Sequence, residues 1–186
     1  MRKLLIFIPI VIIMFIPGIT NATEPDDYIN LKVGWFWPNT SSKGLKGFEQ
    51  APVYEFDYGR NFGRNFAVEA GGTYYQTTNK DISDYKVRFY GPFATLKGKI
   101  HPIDQIELYL GAGAGYYWSE VDYGDINTKG KGIGWHALLG GGYRIIDSLA
   151  LGLEGKYSQA ILKSNNWNDN IDFGGISASI YLKYMF

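Results

Sequence analysis

Two histidines and a scatter of carboxylates and lysines are the residues here that could do chemistry. His101 and His136 are the only imidazoles in the chain. A histidine acting as base needs a nucleophile in hydrogen-bond reach, and a hydroxyl two residues away on the same strand face is one arrangement that would supply it. Position 138 is Leu138, and His101 precedes Pro102 in a stretch that reads as a turn. No catalytic residue is assigned, and no enzyme is expected. GAGAG from Gly111 has the spacing of a nucleotide loop, but it lies inside an alternating strand with no helix after it, so it reads as packing. Asp122, Asp125 and Asn127 lack calcium-loop spacing. No metal or cofactor is expected.

The remaining charges follow a pattern. Lys32, Glu55, Asp57, Glu69, Lys97, Lys99, Glu107, Arg144, Glu154, Lys156 and Lys183 share a parity, each flanked by apolar residues of the opposite parity. YINLKVGWFWP sets Ile29, Leu31, Val33, Trp35 and Trp37 against Asn30, Lys32 and Gly34. SLALGLEGKYSQ sets Leu149, Leu151, Leu153 and Tyr157 against Ala150, Gly152, Glu154 and Lys156. Period-two alternation of this kind marks strands with one apolar face. The tally along the chain is about eight strands of ~8 to 14 residues, a length suited to tilted membrane-spanning strands. The segment from Tyr85 to Lys99 alternates less cleanly, and Pro92 marks an expected bulge there.

Composition agrees with an all-β chain: 17% aromatic, 24 glycines and only 19% charged residues. Cysteine is absent. Arg2 and Lys3 precede the apolar run from Leu4 to Ile16, and Thr20-Asn21-Ala22 supplies small residues where a signal peptidase would cut. The run is short of the ~20 residues a spanning helix needs, and Pro9 interrupts it. Residues 1–22 are therefore read as a signal peptide cleaved near Ala22, and 23–186 as one barrel domain. Without the two leader charges, sixteen basic residues face eighteen acidic ones, a balance that gives no electrostatic footprint for nucleic acid.

Connections alternate in length. Short links fall near Arg60 to Arg64, His101 to Asp104 and Ile146 to Ser148, whereas long polar ones run from Asn39 to Gln50, Gln76 to Asp84, Glu120 to Lys131 and Ile161 to Asn170. Short turns on one rim and long loops on the other are the habit of outer-membrane barrels. The predicted fold is an eight-stranded antiparallel up-and-down transmembrane β-barrel, apolar outside and polar inside. Trp35, Trp37, Tyr116 and Trp118 fall where interfacial girdles sit. Gly111, Gly113, Gly115, Gly140 and Gly142 suit the crowded interior of a narrow barrel.

ELYLGAGAGYYWS from Glu107, WHALLGGGYRIIDSLALGLEGKYS from Trp135 and the terminal SIYLKYMF resemble the small eight-stranded outer-membrane β-barrel superfamily, the OmpA/OmpX-type and porin-like domains. The resemblance covers Tyr28 to Phe186 and implies the bacterial outer membrane. It also implies contact with membrane lipid and lipopolysaccharide, handling by the outer-membrane assembly machinery and a single copy as the working unit. Ile180, Leu182, Tyr184 and Phe186 resemble the C-terminal sorting signal of such barrels, and no peptidoglycan-binding domain is expected. Two barrel families of this size, a lipid A deacylase and a lipid A palmitoyltransferase, are enzymes, but the deacylase His and Ser two apart have no counterpart here.

Inward, five acidic residues would meet six basic ones, a balanced set rather than the single-sign ring of a selective channel. One expectation is an ion-pair plug in a barrel serving envelope integrity or surface interaction through its loops. The alternative is a porin-like channel for small solutes or hydrophobic molecules, gated as pairs such as Glu69 and Lys97 exchange partners. Trp167, central in KSNNWNDNID, is expected at an exposed loop tip.

Overall fold

The computed structural model describes residues 27–39, 47–80, 85–123, 126–164 and 170–186. The leader expected over residues 1–22 and the loop residue Trp167 lie outside them. Alternation becomes eight strands: β1 (Asp27–Pro38), β2 (Ala51–Phe62), β3 (Phe66–Thr78), β4 (Tyr85–Ile103), β5 (Ile106–Tyr123), β6 (Ile126–Ile146), β7 (Leu149–Ser164) and β8 (Asn170–Met185). Each pairs antiparallel with the next, and β1 pairs with β8 from Tyr28↔Met185 to Pro38↔Gly175, closing the barrel. Closure runs to the last residue, whose amide donates to the Asp27 carbonyl at 3.0 Å. In lipid, each backbone group left open would cost several kcal/mol, so the seam has to be complete.

The outer wall is apolar, with Leu110, Ile133, Leu139 and Leu153 each at least 65% exposed. Inward side chains of the same strands, such as Tyr109, Leu138 and Lys156, are buried. Tight turns join β2 to β3, β4 to β5 and β6 to β7 on the rim that carries both ends of the wall. Gly63 opens the first of them at φ 67. No atom would meet a Cβ there, so the glycine answers to backbone conformation and not to space.

Four sequence expectations change. The strands are 12 to 21 residues long, not about 8 to 14. Much of what reads as long polar links is strand: β5 and β6 stay paired up to Tyr123↔Ile126, and β7 and β8 up to Lys163↔Asn170. Beyond the apolar band the outward residues meet water and are polar, while Val121, Thr128 and Leu162 still point inward and are buried. Polarity there marks solvent, not a loop. Pro92 makes no bulge, since the β4–β5 register is the same at Tyr90↔Trp118 and Phe93↔Gly115. The shifts fall instead beside the tight turns, between Ile100 and Ile103 and between Arg144 and Ile146, where an extra residue bends the strand into the turn. His101 correspondingly belongs to β4 rather than to the turn.

Candidate functional site

Strand pleating sends the charged parity into the lumen, and shear decides which charges meet. Lys32 on β1 places its ammonium 2.8 Å from Asp57 Oδ2 on β2 and 2.7 Å from Glu154 Oε1 on β7. Lys97 on β4 bridges Glu69 on β3, at 2.8 Å, and the other oxygen of Glu154, at 3.1 Å. Lys156 on β7 reaches across the bore to Glu55 on β2 at 2.6 Å. Neutral donors complete the set. Tyr28 and the Asn30 amide each donate to Glu69 Oε1 at 3.0 Å, and the Tyr109 hydroxyl donates to Glu154 at 3.0 Å. Charges removed from water persist only when partnered this closely.

A smaller group lies nearer the tight-turn rim. Glu107 on β5 takes Lys183 on β8 and, at 3.2 Å, Lys99 on β4, with His101 Nε2 at 3.6 Å. Lys99 also donates to Asn61 on β2 at 2.8 Å. Arg144 is half-buried at this mouth, lining a recess of about 20 Å³ with His101, Asp104, Glu107 and Lys183. Together the two groups link residues of β1, β2, β3, β4, β5, β7 and β8. Four carboxylates meet three ammoniums in the upper group, and one meets two in the lower.

The sequence reading missed a second layer. Above the charges, toward the rim opposite the tight turns, Phe36, Tyr75, Phe89 and Tyr117 stack in a row with ring centroids 4.3, 4.8 and 4.8 Å apart. Phe173 packs on Phe89, and Val53, Val87, Ala160 and Leu162 fill the remainder. Phe48, in the segment that follows β1, closes on Tyr85 at 5.0 Å. Between the charged and aromatic layers the void is about 20 Å³, room for roughly one water. The signal for this layer is faint: aromatics on the inward parity of strands whose outward parity is also aromatic.

His136 is buried against the Phe93 ring, with its Nε2 2.7 Å from the Thr95 hydroxyl. A hydroxyl beside an imidazole is the raw material of a nucleophile. Both residues are at most 2% exposed, so no substrate reaches them. Among the described residues no cluster of three or more His, Cys, Asp or Glu side chains could hold a metal ion.

On the outer wall Trp35 and Trp37 face outward near the upper end of β1, and Trp118 packs on Tyr116 at 5.1 Å and on Tyr90 at 5.9 Å. At the tight-turn rim Tyr184 stacks on Phe186 at 6.0 Å, while Ile180 and Leu182 face outward along β8. An apolar band between two aromatic belts is what a lipid bilayer requires of a barrel.

The profile of the Outer membrane protein beta-barrel domain family matches residues 12–186. The chain belongs to that family. Membership places this barrel in the bacterial outer membrane. Its fold is similar to that of Neisserial surface protein A (NspA), at TM-score 0.68 and 16% identity over 86% of this chain and 97% of that one. Ail, the attachment invasion locus protein of Yersinia pestis, gives 0.55 and 11% over 87% and 99%. The outer membrane protein AlkL, solved in lipid bilayers, gives 0.53 and 15% over 92% and 95%. No curated protein sequence matches the chain.

Proposed function

We propose that this outer-membrane barrel is a non-enzymatic, sealed scaffold that acts through the part of its wall standing above the membrane, in envelope integrity or surface interaction. The observation that carries the reading is the pair of layers in the lumen, a cross-braced ion-pair layer beneath a stacked aromatic layer with about 20 Å³ between them. Each layer spans the bore, so partner exchange between Glu69 and Lys97 leaves the aromatic row in place and opens no water path. That geometry favours the plug over the gated channel. The sealed Thr95–His136 pair supports the absence of catalysis, because a nucleophile needs an approach. The tall paired walls of β5 and β6, continuing to Tyr123↔Ile126, give the surface role a rigid platform. Ail is named for attachment and invasion, and a surface role of that general kind suits a barrel whose bore is closed.

Planar-bilayer conductance of the folded barrel tests the reading. The parent and the double variant Glu69→Gln, Lys97→Gln are both expected to be silent, with heat-shifted gel mobility confirming the fold. Discrete openings that change in the double variant would establish the channel instead.

A further inference from the structure

Two lysines on the outer wall have no counterpart in the lumen scheme. Lys131 on β6 and Lys163 on β7 are exposed, face outward and stand directly opposite one another in the β6–β7 ladder. Like charges opposed on neighbouring strands repel. Among the described residues no acid lies within ion-pair range of either lysine. The contrast with the residues around them is sharp. Lys129, the next outward residue on β6, bridges Glu120 at 3.3 Å, and Arg88 is held by Glu120 at 3.2 Å and Asp122 at 2.6 Å.

Their level on the wall supplies the missing partner. The outward pair immediately below is Ile133↔Ile161, 72% and 53% exposed, followed on β6 by Trp135 and on β7 by Gln159, whose amide donates to Asp172 beside Ile161 on β8 at 3.2 Å. From Ile133 to Ile145 the outward face of β6 spans roughly 30 Å of height at ~40° tilt, the thickness of a hydrocarbon core. Beside Lys131 in the β5–β6 ladder stands Trp118, in the aromatic belt that marks lipid headgroups. The lysine pair therefore sits at headgroup height on the side away from the tight turns, the outer leaflet.

We infer that Lys131 and Lys163 form a binding site for the phosphate of an outer-leaflet lipid, whose acyl chains lie along Ile133 and Ile161 below. One phosphate between two ammoniums removes their repulsion and leaves the apolar part of the lipid on apolar wall. Lysine suits this role as a compact point charge for phosphate. The site rests on the outer-membrane placement and does not depend on whether the lumen conducts.

The test uses the barrel extracted from bacterial outer membranes in mild detergent, stripped of lipid and titrated by native mass spectrometry. The probes are phosphatidic acid, phosphatidylcholine and inorganic phosphate. Phosphatidic acid is expected to bind in preference to the other two. Lys131→Gln with Lys163→Gln is expected to weaken it roughly 10- to 30-fold, as two lysines at a charged lipid surface would. Lys129→Gln, which removes a charge already matched by Glu120, is expected to change little. Heat-shifted mobility reports folding, and the single Lys163→Gln variant serves if the double variant does not fold. Unchanged phosphatidic acid binding in the folded variants, or an equal loss in Lys129→Gln, overturns the site. Inorganic phosphate binding as tightly as the lipid overturns its assignment to a lipid.

Discussion

Replacing Lys32 with methionine removes an ammonium while nearly preserving the length of the side chain, so the loss measured is chiefly electrostatic. In the folded barrel the Lys32 side chain is 1% exposed and lies 2.8 Å from Asp57 and 2.7 Å from Glu154, both almost wholly buried. Glu154 keeps Lys97 at 3.1 Å, but Asp57 loses its closest cation and stands beside a buried group with four carboxylates and only two ammoniums. Orphaning one member of a buried pair costs about 3–5 kcal/mol. With a urea dependence of about 2 kcal/mol per molar, the unfolding midpoint should fall by about 2 M. Reversible urea unfolding in lipid vesicles, followed by tryptophan fluorescence, gives that midpoint. Adding Asp57→Asn to Lys32→Met restores the charge balance and should recover most of the loss. Lys129→Met, on an exposed lysine, should stay within about 0.5 kcal/mol of the parent. A loss below about 1 kcal/mol for Lys32→Met, indistinguishable from Lys129→Met, would refute the claim that the lumen charges brace the barrel.

Phe89 is the centre of the aromatic layer, in ring contact with Tyr75, Tyr117 and Phe173, so Phe89→Ala should cost about 3–5 kcal/mol in the same unfolding assay. It should still leave bilayer conductance silent, because the ionic layer beneath continues to span the bore. Two glycines should respond in opposite ways. A Cβ on Gly132 would lie 2.0 Å from the Ile161 carbonyl oxygen, whereas one on Gly98 would meet nothing within 4 Å. Gly132→Ala should therefore abolish the heat-modifiable band on a gel, and Gly98→Ala should leave it unchanged.

The wall was legible because its physics is local. Each outward residue from Leu31 to Trp37 meets lipid whatever strand lies beside it, and period two records that directly. Partner choice in the lumen was not legible for the opposite reason. Lys32 and Glu154 are 122 residues apart and meet only because closure and shear bring β1 and β7 to the same height. The pair Glu69 and Lys97 was accessible because those residues lie on consecutive strands. The aromatic layer escaped notice because β4 carries Phe89 and Phe93 inward while Tyr90 and Pro92 lie on the other face, so alternation fades where both faces are apolar. The upper strand segments escaped because polarity was read as loop, when it marked a wall that had left the lipid.

The seam between β1 and β8 also bears on how the chain could be rewired. Its pairs are of the same kind as those between any other neighbours, and the Asp27 carbonyl and the Phe186 amide are within hydrogen-bond distance. The folded wall is thus a ring with no privileged starting strand. Joining its two ends with a short linker and cutting at the Gly63 turn would give a permuted chain that begins at β3 and ends at β2. Its new ends would lie on the same rim as the old ones, so every strand would keep its neighbours, its direction and its place in the membrane.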